Sequence, residues 1–204
     1  MNSRIFAAII AVIAWLGLAV QFAASFVTLG SVIATLWVML LYFTIIANLA
    51  VAVVFTGTAL GSSRLASPFL LAGTTIAVLL VGIVYNVLLQ GMIELSGGAK
   101  LADRLNHSVT PVTVSLFWLF AAEKGHLHWR DPLRWALLPL AYFAYGITRG
   151  ATEGQYPYPF MNLARLGWPQ TLVNAAVMAA CFLAVGFAMV WLDRRLGRRH
   201  GLPN

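Results

Sequence analysis

Polar side chains set inside long apolar runs are the residues of this chain that could do chemistry, because each is costly there. Thr44 and Asn48 stand four apart, on one face of a helix. Asn86, Gln90 and Glu94 repeat that spacing. Asn106-His107 is followed by Ser108, Thr110 and Thr113, and Tyr142, Tyr145 and Arg149 fall at i, i+3 and i+7. Gln170 and Asn174 open a last group. A threonine hydroxyl becomes a nucleophile only when a base within about 3 Å takes its proton. His107 is the only base inside an apolar run whose reference pKa is near neutral. Such a pairing is the chemistry of acyl transfer, and Asn48, Asn106 or a tyrosine hydroxyl could hold the oxyanion. The plainer alternative is a threonine bonded to its own helix backbone, with amides that glue helices together.

The elements that must position these groups are membrane-spanning helices. Between Arg4 and Arg64, 59 residues pass without a charged side chain. A crossing needs only about 20 apolar residues, so this run holds two. Further runs predict spans at Ile5–Leu29, Ser31–Thr56, Phe69–Ile93, Arg104–Ala122, Leu133–Thr148 and Gln170–Leu192. The expected fold is all-α, a polytopic integral membrane bundle of six transmembrane helices forming a single domain over residues 1–204. With 61% hydrophobic and 9% charged residues and a mean hydropathy of +0.85, no sizeable soluble domain is left over. Little alternation of polarity argues against a membrane barrel. The first 25 residues resemble a signal peptide, but their apolar stretch is long and reads as an uncleaved first span.

Six spans put both termini on one side, together with Arg4, Arg64, Lys124, Arg130, Arg134, Arg194, Arg195, Arg198 and Arg199. Lys100, Arg104, Arg149 and Arg165 fall on the other. The positive-inside rule then places both termini in the cytoplasm, in a bacterial inner (plasma) membrane. The basic tail Asp193–His200 reads as an anchor on anionic lipid, so the net charge of +7 calls for membrane lipids as partners and not nucleic acid. Glu123, His126 and His128 are an incomplete ligand set, so no metal is expected. No cofactor motif occurs, and the single Cys181 allows no intrachain disulfide.

Pro111 interrupts the fourth span and cannot donate to the His107 carbonyl. In lipid that carbonyl needs another partner, which turns His107 toward the bundle interior. Most of the polar groups then fall at mid-membrane or in the outer half, beneath the loop at 150–160, and predict one polar cavity open to the outer leaflet. One expectation conflicts with this. Thr44 would lie about 20 Å from the outer end of a straight second span, and His107 only about 5 Å into the fourth.

Tyr42-Phe43-Thr44, Leu105-Asn106-His107 and Tyr158-Pro159-Phe160 occur in that order across nearly the whole chain. In this the chain resembles the androgen-induced membrane protein family, which includes the androgen-dependent regulator of tissue factor pathway inhibitor, and its six-helix bacterial members. The resemblance implies a six-span hydrolase of fatty acid esters of hydroxy fatty acids, with Thr44 as nucleophile and a histidine as base. The animal members carry a second, catalytic histidine where this chain has Thr110, so either His107 takes that role or the animal chemistry is absent. The expected site is therefore Thr44 and His107, supported by Asn48, Asn86, Gln90, Asn106, Thr110, Tyr142, Tyr145 and Asn174. Arg149 with Tyr158 would bind a carboxylate or headgroup of the lipid-like substrate at the cavity mouth. The alternative is a non-enzymatic membrane protein, a lipid or small-molecule carrier or a partner subunit, using the same cavity.

Overall fold

The computed structural model describes residues 2–92 and 94–199; Ile93, expected to close the third span, and His200 of the basic tail lie outside the described residues. Among the described residues all regular structure is helical. The chain divides into two compact units, Met1–His126 and Leu127–Asn204.

The first unit contains α1 (Ser3–Leu29), α2 (Val32–Met39), α3 (Phe43–Ala59), α4 (Pro68–Val84), α5 (Gly97–Arg104) and α6 (Thr110–Phe120). One π-helical turn, Tyr85–Leu89, extends α4, and a second, Leu105–Val109, joins α5 to α6. Helix α1 starts where the Asn2 side chain accepts the Arg4 N–H at 3.1 Å, and it stops at Gly30, whose φ of 66° no longer continues a helix. Ala7, Ala11, Ala14 and Gly17 form its buried stripe, and these small residues let α3 approach closely. Phe117 closes the core of this unit, edge-on to Phe6 and Phe55 at ring separations of 5.4 and 5.0 Å.

Two expected spans are corrected here. The second is not a straight helix over Ser31–Thr56, because α2 and α3 meet at 97°. Neither glycine nor proline marks the break. The chain tightens there to i→i−3 bonds (Leu41 N–H to Val38, Tyr42 N–H to Met39), Leu41 turns into the core at 1% exposure, and α3 begins after an extended Tyr42. The fourth helix begins at Gly97 and not at Arg104, so Lys100, Asp103 and Arg104 are helical residues.

In the second unit, α7 (Asp131–Trp135) runs almost directly into α8 (Leu137–Glu153), which ends at Gly154 with φ 73°. A 3₁₀ turn at Pro159–Met161 leads to α9 (Leu163–Arg199), interrupted at Gly167 where φ is 69° and ψ 168°. Pro132 sits under Gly186 so closely that a Cβ there would lie 2.9 Å from the ring.

Among the described residues three helices are long and apolar enough to cross a membrane: Ser3–Leu29, Pro68–Leu89 and Leu163–Arg198. The bent pair α2 and α3 makes a fourth if it counts as one crossing. The fourth expected span is a continuous helical stretch from Gly97 through the π turn to Phe120, but Lys100, Asp103, Arg104, Asn106 and His107 make it too polar to join that set, and α8 has only 17 residues. Leu172, Val173 and Val177 of α9 stay more than half exposed, as a lipid-facing helix requires.

Candidate active site

Both corrections bring the two expected catalytic side chains together. Because the second span breaks, Thr44 is the second residue of α3 and not a mid-helix residue. Because the fourth helix starts at Gly97, His107 lies about 15 Å along it and not at its mouth. Thr44 Oγ1 and His107 Nε2 are 3.2 Å apart.

The other ring nitrogen fixes the proton. His107 Nδ1 lies 3.1 Å from the Asp103 carbonyl oxygen and 3.0 Å from its carboxylate Oδ1. Both are acceptors, so Nδ1 carries the hydrogen and Nε2 of the neutral ring offers a lone pair to the Thr44 hydroxyl. Tyr85 stacks on the imidazole with centroids 3.8 Å apart and planes 15° apart, holding its tilt. A hydroxyl, an imidazole and a carboxylate thus stand in series, an arrangement suited to acyl transfer.

Thr44 differs from the other threonines for a local reason. Thr56, Thr58, Thr74, Thr75, Thr113, Thr148, Thr152 and Thr171 each return their hydroxyl to a carbonyl one turn back. Thr44 stands in the first turn of α3, where no preceding turn exists to receive it. Its backbone N–H is one of the first-turn amides that lack an intrahelical acceptor, and it sits at the positive end of the helix dipole.

The π turn and Pro111 explain two of the asparagines. Pro111 has no N–H to offer the carbonyls of the preceding turn. Asn86 Nδ2 donates to the His107 carbonyl at 3.3 Å and to that of Gly82 at 2.7 Å. Asn48 Nδ2 donates to the Asn106 carbonyl at 3.3 Å and to that of Thr44 at 2.9 Å. Asn106 in turn donates to the Gly17 carbonyl at 3.3 Å. These amides tie α1, α3 and α4 to the turn that carries His107, and both amide hydrogens of Asn48 are thereby used. Gln90 is exposed at the end of the first π turn, away from this set.

Thr110 is fully buried, and its hydroxyl has no partner among the described residues. A buried hydroxyl without a hydrogen bond costs about 1–3 kcal/mol. Thr110→Val should therefore stabilise the protein by about 1 kcal/mol, read as a higher thermal midpoint in detergent. A lower midpoint would show that the hydroxyl has a partner.

The remaining expected residues belong to the second unit. Tyr142 lies 6.2 Å from Tyr145 and 6.4 Å from Tyr158, ring to ring, and Tyr158 stacks on Phe160 at 5.1 Å. Asn174 ties α9 to the preceding loop, donating to the Phe160 carbonyl at 3.0 Å and accepting from Gln170 at 2.9 Å. Arg149, 6% exposed, has a carboxylate already: Nε and Nη2 grip Glu153 at 2.9 and 2.8 Å, and Nη1 reaches the Tyr145 hydroxyl at 2.8 Å. Glu153→Gln would strand that guanidinium. The cost should be about 2 kcal/mol, below that of a fully buried pair because the Glu153 side chain is 32% exposed. An unchanged thermal midpoint would contradict this.

Sequence reasoning missed Asp103 and Tyr85. Asp103 stands four residues before His107, on the same helical face, and was hidden by starting the span one residue later. Tyr85 meets His107 from a π turn, where side chains leave the ordinary helical register. Compared with family models, curated proteins and solved structures, the chain finds no match.

Proposed function

We propose that this protein is an integral membrane hydrolase of lipid esters, with Thr44 as nucleophile, His107 as general base and Asp103 as the orienting acid. The reading rests on one observation, the Thr44–His107 contact of 3.2 Å with the far ring nitrogen held by two acceptors. Thr44 Oγ attacks the ester carbonyl carbon while His107 Nε2 takes the hydroxyl proton. The tetrahedral oxyanion collapses, the C–O bond breaks, and the imidazolium returns the proton to the departing alkoxide. Water, deprotonated by the same histidine, then releases the acid from acyl-Thr44. In this reading the Thr44 N–H, in the first turn of α3, donates to the oxyanion. The likeness to the androgen-induced family in Leu105-Asn106-His107 and Tyr42-Phe43-Thr44 supports fatty acid esters of hydroxy fatty acids as the substrate class, with His107 alone as base. A six-span topology with cytoplasmic termini in a bacterial inner membrane is part of the same proposal and follows from the placement of the arginines.

A fluorophosphonate probe applied to the purified protein tests it. Labelling should map to Thr44, and turnover of a lipid-ester panel should be lost on labelling. No label at Thr44 and no turnover of any ester would leave a carrier or partner subunit as the function.

A further inference from the structure

A cavity of about 410 Å³ opens in the second unit, lined by His128, Trp129, Arg130, Arg134 and Arg194. Its volume is in the range of small-ligand sites. Among the described residues its lining carries three guanidiniums and no carboxylate. Two buried acids, Asp131 and Asp193, bond the loop that carries the lining residues His128, Trp129 and Arg130. Asp131, 2% exposed, accepts the His128 N–H at 2.8 Å and holds Arg134 at 3.4 Å; Asp193, fully buried, accepts the Leu127 N–H at 3.0 Å. Two buried carboxylates therefore pin the loop that displays Trp129 and Arg130, so the basic groups converge without having to be ordered by a ligand.

Three planar forks around one volume suit a tetrahedral anion with several oxygens better than a flat carboxylate, which a single arginine satisfies. The cavity also has an apolar side: the Trp129 ring lies 6.4 Å from that of Phe187, one face of α9. Near the same end of α9, Arg195 covers the Trp191 ring at 5.2 Å. Tryptophan and arginine together mark the headgroup level of a bilayer. A site that is cationic at one end and leads onto an apolar helix matches a molecule with a phosphate at one end and acyl chains at the other.

We propose that this cavity binds the phosphate of an anionic phospholipid headgroup, with an acyl chain laid along Trp129 and Phe187. The site is independent of the hydrolase reading and shares no residue with it. Arg130, Arg134 and Arg194 supply the charge-assisted hydrogen bonds, and Trp129 supplies the wall between headgroup and chain.

The test uses the full chain in neutral detergent, delipidated and titrated under native mass spectrometry. The arms are short-chain phosphatidylglycerol, short-chain phosphatidylcholine and inorganic phosphate. Phosphatidylglycerol should bind at least tenfold more tightly than phosphatidylcholine and than inorganic phosphate. The combined R130Q and R194Q variant should lose that preference, as should R130Q alone in part, with lipid-free thermal midpoints unchanged. Equal binding of the two lipids, or a preference that survives in the combined variant at an unchanged midpoint, would overturn the proposal. Inorganic phosphate binding as tightly as phosphatidylglycerol would overturn the lipid identity and assign the site to a soluble phosphate compound. Thr44→Ala should keep the lipid adduct even where ester turnover is gone, which separates this site from the hydrolytic one.

Discussion

Thr44→Val should lower lipid-ester turnover by about 10⁴-fold, and His107→Gln should do nearly the same. Valine keeps the shape of threonine and removes only the attacking oxygen; glutamine keeps a polar group beside Thr44 but cannot carry the proton through the cycle. The two losses should not add in the double variant, because either one disables the same step. Asp103→Asn should cost far less, about 10- to 100-fold. The Asp103 backbone carbonyl, 3.1 Å from Nδ1, survives that substitution and still holds the ring in the tautomer that leaves Nε2 free. What is lost is the carboxylate at 3.0 Å that stabilises the imidazolium. Steady-state turnover in detergent, with thermal midpoints as a folding control, decides the ordering. If Asp103→Asn proves as damaging as His107→Gln while the midpoint holds, the carbonyl has no orienting role. Should Thr44→Val retain turnover, the nucleophile lies elsewhere.

Gly17→Ala is expected to be the most damaging single methyl addition near this site. A Cβ at position 17 would stand 2.4 Å from Asn106 Oδ1 and 3.2 Å from Leu105 Cβ. Asn106 cannot swing away freely, since its Nδ2 bonds the Gly17 carbonyl and its own carbonyl receives Asn48. Overpacking a tight core costs about 1–3 kcal/mol, and here the neighbour is a tethered amide, so the upper end applies. Turnover should fall as well, because Leu105 and Asn106 belong to the turn that aims His107. The check is a double-mutant cycle with Asn106→Ala, read by unfolding in detergent. Removing the colliding amide should recover part of the stability lost to Gly17→Ala, giving a coupling energy of about 1 kcal/mol or more. Strict additivity would mean that the two residues do not meet.

The helical, apolar character of the chain was legible in its charge-free runs; the polar groups within those runs pointed to His107, and the family resemblance to Thr44. Their meeting was not legible. It depends on a break at Leu40–Tyr42, which the sequence writes only in apolar letters, and on a helix that begins at Gly97, so that Lys100 and Asp103, which read as a loop, are helical. Charge patterns within one turn were also underused. Glu153 stands four residues after Arg149, as Asp103 does before His107, and in each case the shorter-range partner decides what the cation or base does. Pro111 was read correctly as a source of an unserved carbonyl, and Asn86 supplies the bond that was required.

Asn48 and Asn86 grip main-chain oxygens of the Leu105–Val109 turn, not its side chains. Scaffolding and reactivity are thereby written in different parts of the same residues. The bonds that dock the helices leave the imidazole out, so this turn is a socket in which the side chain at position 107 should be exchangeable without rebuilding the membrane domain around it.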